Sequence, residues 1–294
     1  MDKLIHGTAA DGTIRVMAAI TTEIVREAVR RHQTSPTASA ALGRVLTGTL
    51  LLGSSLKDFD RLTVRIECDG AIEGIVAETN AQGKVRGYVR NPLAESKGNT
   101  VDVKEIIGKG MFHVIREAGF DVGLYREPYH GSVPLYTGEI GDDFAYYLLK
   151  SEQIPSAVLL GVALQSEAPY IKAAGGVMLQ IMPGANEHLI TMIEDTIAHA
   201  PHLTKLISEG AAPEDLVKMA LGIIDYEILD EREVEFKCSC SPERAAALIA
   251  SLGKAEVESM LNEDKGAEMT CGFCNQTYHL DEAQLQEIID SLSN

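Results

Sequence analysis

A chain of 294 residues with a formal charge of −17, from 26 Lys and Arg against 43 Asp and Glu, turns a repelling surface to phosphate backbones, so no nucleic-acid partner is expected. Apolar residues make up 45% of it, which excludes global disorder and leaves room for one large domain plus one or two small ones. Four of the five cysteines fall after residue 237, which argues against a secreted disulfide scaffold and suits a reducing cytoplasm, where such clusters serve metal or redox chemistry.

The opening Met1-Asp2-Lys3-Leu4-Ile5-His6-Gly7 lacks the charged and apolar regions of a secretory signal, and none is expected. Ile14 to Ala19 reads as a strand. Helices are expected over Thr22 to His32 and, after Ser35-Pro36, over Thr37 to Leu56. The second is the nearest approach to a membrane span. Arg44 and several hydroxyl side chains interrupt it, so a buried soluble helix is expected, with no membrane partner. Leu62, Val64, Ile66 and Cys68 alternate with polar residues, the period of a half-buried strand. Cys68 is expected to be a small buried hydrophobe there. Short strands follow near Ile72 to Glu78 and Val85 to Val89. Asp142 or Asp143 is expected to cap a short helix through Lys150. Ser156 to Leu164 and Ile171 to Ile181 are apolar, β-branched and separated by a polar turn, which predicts an antiparallel hairpin. No regular strand–helix alternation runs through this part. The expected class is therefore α+β, a mixed core with antiparallel sheets over residues 1–183.

Met182-Pro183-Gly184 is a strong break, and a helical linker is expected over 184–232. Leu189, Met192, Ile193, Thr196 and Ile197 share one helical face. Leu203, Leu206 and Ile207 continue in a shorter helix that Gly210 stops. Pro213 suits the first turn of a third, bearing Leu216, Val217, Ala220, Leu221 and Ile224. Helices this short are marginal unless docked. They form either an ordinary subdomain or a linker that folds only while its neighbours hold it. A small domain is expected over 233–294. A short strand from Val234 leads to the first cysteine. Ser241-Pro242-Glu243 signals a helix start, a second helix covers Ala255 to Leu261, and Asp281 caps a last one bearing Leu285, Ile288, Ile289 and Leu292.

The cysteines read Cys238-x-Cys240, thirty residues, then Cys271-x-x-Cys274. The second half is a knuckle whose turn, flanked by strands, aims two thiolates at one point. Four thiolates suit one tetrahedral zinc ion and close the site to water. Iron accepts the same donors, and spacing leaves the two metals open. Sulfurs on such an ion lie less than ~4 Å apart, so oxidation can link neighbours with little searching. Of three connectivities, Cys238–Cys240 and Cys271–Cys274 are the most local. A domain of about sixty residues is marginal on its core alone, so losing the metal would loosen it and expose the helices docked beside it. The alternatives are a binding module with a purely structural zinc site and, for Cys271-Gly272-Phe273-Cys274, a thiol–disulfide oxidoreductase. The latter needs a helix opening at the first cysteine within a parallel sheet. From Val234 to Asn294 four Lys and Arg face eleven Asp and Glu, which disfavours a nucleic-acid zinc ribbon. His279 is a less apt ligand with four thiolates present. His188, His199 and His202 are expected to be solvated or packed. Phosphate-loop, HExxH and nucleophile-elbow motifs are absent, and no enzymatic activity is expected.

The paired Cys-x-Cys and Cys-x-x-Cys halves at this separation, in an acidic C-terminal domain, resemble the redox-regulated 33-kDa chaperonin (heat-shock protein 33-type) family of bacteria. Pro36-Thr37-Ala38-Ser39-Ala40-Ala41-Leu42-Gly43-Arg44, Gly141-Asp142-Asp143-Phe144 and Ala173-Ala174-Gly175-Gly176 resemble it too. The resemblance implies an ATP-independent holdase. Its reduced, zinc-bound form is inactive. Oxidative stress, with heat or another unfolding stress, forms two disulfides, releases zinc and unfolds the zinc domain and linker. The opened protein, as a homodimer, then binds unfolded or damaged client proteins. The implied fold is an α/β core with a helical linker wrapped on it and a zinc domain.

Overall fold

A computed structural model of the chain describes residues 1–57, 60–98, 100–117, 127–167 and 170–292. Within them the chain divides into two units, Met1–Lys237 and Cys238–Asn294. The first opens with β1 (Lys3–Ala9), β2 (Ile14–Ile20), α1 (Thr22–His32) and α2 (Pro36–Leu52). It continues through β3 (Arg61–Cys68), β4 (Gly74–Asn80), β5 (Lys84–Val89), α3 (Val103–Ile107), β6 (Gly110–Glu117), β7 (Tyr129–Pro134) and α4 (Gly141–Lys150). The hairpin β8 (Ser156–Leu164) and β9 (Ile171–Ile181) follows, then α5 (Glu187–Ala198), α6 (Leu203–Ser208), α7 (Pro213–Leu221), β10 (Tyr226–Glu233) and β11 (Glu235–Phe236).

Two sheets carry this unit. One runs β10-β1-β2-β9-β8 and is antiparallel throughout. The other runs β11-β5-β4-β3-β6-β7, antiparallel except where β11 joins β5. Helix α2 fills the space between them. Ser35 caps it by accepting a hydrogen bond from the Ala38 N–H, and Pro36 opens its first turn. Its Leu42, Val45, Leu46 and Leu50 pack with Leu4 and Met17 of the first sheet and Val64, Ile66 and Ile75 of the second. A helix buried on all sides reads as apolar all round, which is why it resembles a span. Among the described residues no helix is long and apolar enough to cross a membrane. The helix ends at Leu52, short of the expected Leu56, because a 3-10 turn takes over at Gly53. Cys68 closes β3, half-buried against the same core, with burial raising its thiol pKa.

The other face of the five-stranded sheet is covered by α5, α6 and α7. Ile5, Ile14, Val16, Val177 and Leu179 of the strands meet Leu216, Val217, Ala220 and Leu221 of α7. The three helices are unequally attached. Among the described residues α5 buries only Ile193 and α6 only Ile207, whereas α7 buries five side chains. Residues 226–233, where the sequence offers no strand, form β10 along the edge of β1.

Two buried carboxylates organise backbone. Asp143 was expected at the start of α4 as one of two candidate caps. It stands instead inside the first turn, with Ile140 at the cap position. One oxygen accepts the Ile140 N–H at 2.9 Å. The other accepts Tyr136, Thr137 and Gly138 N–H groups at 2.7, 3.1 and 3.3 Å. The preceding loop folds back over the helix end, so a residue within the turn reaches more donors than a cap would. Asp143→Ala strands these donors and is expected to cost about 3 kcal/mol or more, read from the urea midpoint. Asp2 caps α1 from a distance, accepting Glu23 and Ile24 N–H groups at 3.1 and 2.7 Å. Burial pushes its pKa up to about 6, while those hydrogen bonds pull it down. Between about pH 4 and 6 the folded state therefore holds a proton that the unfolded chain has released. The contribution of Asp2 to stability falls as pH rises through that window and is level above it. Asp2→Asn is expected to flatten that slope, a difference of about 2–3 kcal/mol, seen by comparing unfolding midpoints at pH 4 and 7.

The second unit comprises α8 (Pro242–Ala250), α9 (Lys254–Glu263), the antiparallel hairpin β12 (Gly266–Thr270) and β13 (Thr277–Asp281), and α10 (Glu282–Ser291). Ile249, Val257, Leu280, Leu285, Ile288 and Ile289 form its core. Asp281 caps α10, its carboxylate accepting the Gln284 N–H while the Gln284 side chain accepts its own.

Candidate metal centre

The hairpin β12–β13 turns through Cys271-Gly272-Phe273-Cys274. Thr270 and Thr277 pair at its neck, their hydroxyls 3.0 Å apart. Cys271 N–H donates to the Gln276 carbonyl at 2.9 Å, and Asn275 N–H to the Cys271 carbonyl at 2.8 Å, with Asn275 at φ 57°. Asparagine tolerates that left-handed turn. Backbone N–H groups of Phe273 and Gln276 point at the Cys271 and Cys274 sulfurs. The Cys238-x-Cys240 half is held by the first turn of α8. Ser241 caps that helix, and Arg244 Nη1 donates back to the Ser239 carbonyl at 2.7 Å and to Ser239 Oγ at 2.9 Å.

The two halves bring Cys238, Cys240, Cys271 and Cys274 together, every sulfur within 4.8 Å of the others. Cys238 Sγ lies 3.7 Å from Cys271 Sγ, and Cys240 Sγ 3.4 Å from Cys274 Sγ. Sulfurs on a tetrahedral ion with bonds of ~2.3 Å stand ~3.8 Å apart, so the arrangement fits a metal ion. The electrostatics fit as well. Burial above all pushes the Cys271 and Cys274 thiols up, against the pull of the two backbone N–H groups, with Cys238 adding to the rise at Cys271 and Cys240 and Cys238 at Cys274. Thiolates crowded this closely need a cation among them, and four suit a divalent one.

Tyr278 was not singled out in the sequence. Its phenol donates to Cys240 Sγ at 3.0 Å, and that hydrogen bond raises its own pKa. Arg244 entered the sequence reading only as one of the four Lys and Arg after Val234. Strand parity is the signal that finds Tyr278. Leu280 on β13 points into the small core, so Tyr278, two residues earlier, shares its face. The same parity turns His279 away, where its Nδ1 lies 3.3 Å from Glu268, and it is not part of the cysteine cluster. Cys68, in the first unit, is not part of it either.

An α+β core of largely antiparallel sheets is joined here to a small unit whose four converging thiols could hold a metal ion. A family model described as Hsp33 protein matches residues 2–281, and the chain belongs to that family. The 33 kDa chaperonin of Desulforamulus reducens is 43% identical, the match covering 98% of this chain and 97% of the relative. That of Listeria monocytogenes is 44% identical, with 98% of each covered. The crystal structure of the 33 kDa chaperonin of Thermotoga maritima, an Hsp33 homologue, matches with a TM-score of 0.87 at 35% identity over 98% of both chains. The family places this chain among the chaperones.

Proposed function

We propose that the protein is a redox-regulated, ATP-independent holdase of the cytoplasm. In the reduced state Cys238, Cys240, Cys271 and Cys274 hold one zinc ion, and the protein is inactive. Oxidation forms the Cys238–Cys240 and Cys271–Cys274 disulfides and releases zinc. Each pair of thiolates gives up two electrons as its disulfide forms, and one peroxide takes them up, with two protons from the solvent, as it becomes two waters. The second unit and the α5–α7 layer then unfold, and the protein, as a homodimer, holds unfolding or oxidatively damaged clients.

The observation that carries this reading is the convergence of four sulfurs in a unit whose own core is small. The choice of disulfides decides whether that unit can open. Pairing across the two halves, for example Cys238 with Cys271, would close a long loop and keep a staple worth about 3–4 kcal/mol. Pairing within each half leaves no covalent link from Cys238 and Cys240 to the hairpin. Tyr278 supports the reduced state through its hydrogen bond to Cys240. Tyr278→Phe is expected to weaken zinc binding roughly tenfold, measured by competition with a chromogenic chelator.

The test follows zinc release, free thiols and helicity together as the reduced protein is oxidised with peroxide under mild heating, alongside aggregation of a heat-unfolded client. Zinc loss, four lost thiols, reduced helicity and suppressed aggregation are expected together. Equal suppression before and after oxidation would remove the switch. Survival of zinc and helicity would leave a structural site only, and turnover of small disulfides with a reductant would make the protein an oxidoreductase.

A further inference from the structure

The edge of β1 is covered in this structure by the last strand of the linker. β10 pairs with β1 along its whole length, Lys3 to Ala9 opposite Glu233 to Tyr226, with one bulge between His6 and Gly7. Beyond the backbone ladder and an exposed ion pair between Lys3 and Glu231, its attachment is of two kinds. Tyr226 and Ile228 pack, partly buried, among the side chains shared with α5–α7. Arg232 donates to the Ala81 carbonyl at 2.6 Å and the Ser54 carbonyl at 3.2 Å. The alternate residues Glu227, Leu229, Glu231 and Glu233 are exposed. β1 itself is anchored independently. It pairs with β2 over all seven residues, and Leu4, 1% exposed, packs on the opposite face with Met17 and the α2 side chains, away from α5–α7. Removal of the α5–α7 layer therefore strips the inner packing from β10 and leaves β1 in place.

We propose that the edge of β1, vacated by β10, is where the activated protein takes an extended segment of an unfolded polypeptide as an added antiparallel strand. This rests on the holdase reading above and assigns its client surface. A freed strand edge offers a row of unpaired N–H and C=O groups that pairs with almost any extended chain. Such recognition ignores sequence, as a holdase requires. The surface is shaped for an incoming backbone. A Cβ on Gly7 would lie 2.2 Å from the Glu227 carbonyl oxygen, so the glycine admits the neighbouring strand at close range. The preferred client segment carries apolar side chains at alternate positions, as Tyr226 and Ile228 do. β10 is then an internal occupant, and its departure is what makes the edge available.

The test is amide hydrogen exchange on the full chain in three states: reduced with zinc, oxidised, and oxidised with reduced carboxymethylated α-lactalbumin, a permanently unfolded polypeptide. Exchange in the segment Lys3–Ala9 is expected to rise at least tenfold on oxidation and to fall again with the polypeptide, while β2 stays protected in all three. The proposal is overturned if that segment keeps its protection after oxidation while the polypeptide is held. It is also overturned if the segment stays unprotected at saturation. If the oxidised chain holds no polypeptide at all, the holdase reading falls and this surface with it. Holding without protection at β1 removes the surface alone.

Discussion

Cys274→Ser is expected to release zinc and unfold the second unit without any oxidant. Cys274 is the most buried of the four cysteines, 2% exposed, with its sulfur 3.4 Å from that of Cys240. A hydroxyl there is a poor substitute for a thiolate at zinc, and three thiolates leave the ion open to water. Metal binding in small thiolate sites contributes folding free energy on the order of 10 kcal/mol. The core of Ile249, Val257, Leu280, Leu285, Ile288 and Ile289 must then stand alone in a unit of about sixty residues, a size at which cores are marginal. The expected result is zinc stoichiometry near zero, free amide exchange throughout residues 238–292, and aggregation suppression in the presence of reductant. Retained zinc and protected amides would contradict it.

Leu216→Asp is expected to activate the protein by the opposite route, with zinc still bound. Leu216 is wholly buried between α7 and the five-stranded sheet, among Ile5, Ile14, Val16, Val177 and Leu179. A carboxylate there has no described cationic partner in that cluster and must be either protonated or exposed. Changes of this kind lie in the range of about 4 kcal/mol or more. Because α5 and α6 bury little of their own, they are expected to leave with α7. Suppression of aggregation by reduced, fully zinc-loaded Leu216→Asp protein would assign client access to this layer. An inactive variant with α7 amides fully exchanging would show that uncovering this face is insufficient. The two variants together separate loss of the metal from loss of the helices.

The legible and illegible parts of the fold differ in how local their causes are. Helix α1 was readable over Thr22 to His32, and the hairpin β8–β9 over its full extent, because their periodicity lies within the segment. The start of α2 was readable because Ser35 and Pro36 adjoin it. β10 was not, since five of its eight residues are charged and it is a strand only because β1 needs a neighbour. The cap on α1 was hidden for the same reason, as Asp2 lies some twenty residues from the amides it serves. The expected cap of α4 was near the right place but in the wrong role, because the fold-back of Tyr136 to Ile140 is a property of the loop. At the candidate metal centre, cysteines announce themselves by type and spacing, and the structure brings all four together. Tyr278 became visible only once the register of β12 and β13 fixed which side of the strand it faces.

The position of α2 between the two sheets bears on how the molecule recovers. Leu42, Val45, Leu46 and Leu50 hold the five-stranded sheet from the side that α5–α7 never touch. A protein that sheds those helices keeps the surface they came from in its original shape. Return to the resting state is then, on the holdase reading, a docking of short helices and the re-pairing of β10 alone onto a standing template, so the remaining strand pairings need no new search. On the holdase reading proposed above, the five-stranded sheet would act as a memory of the closed form, and resetting would need reductant and zinc but no second folding of the core.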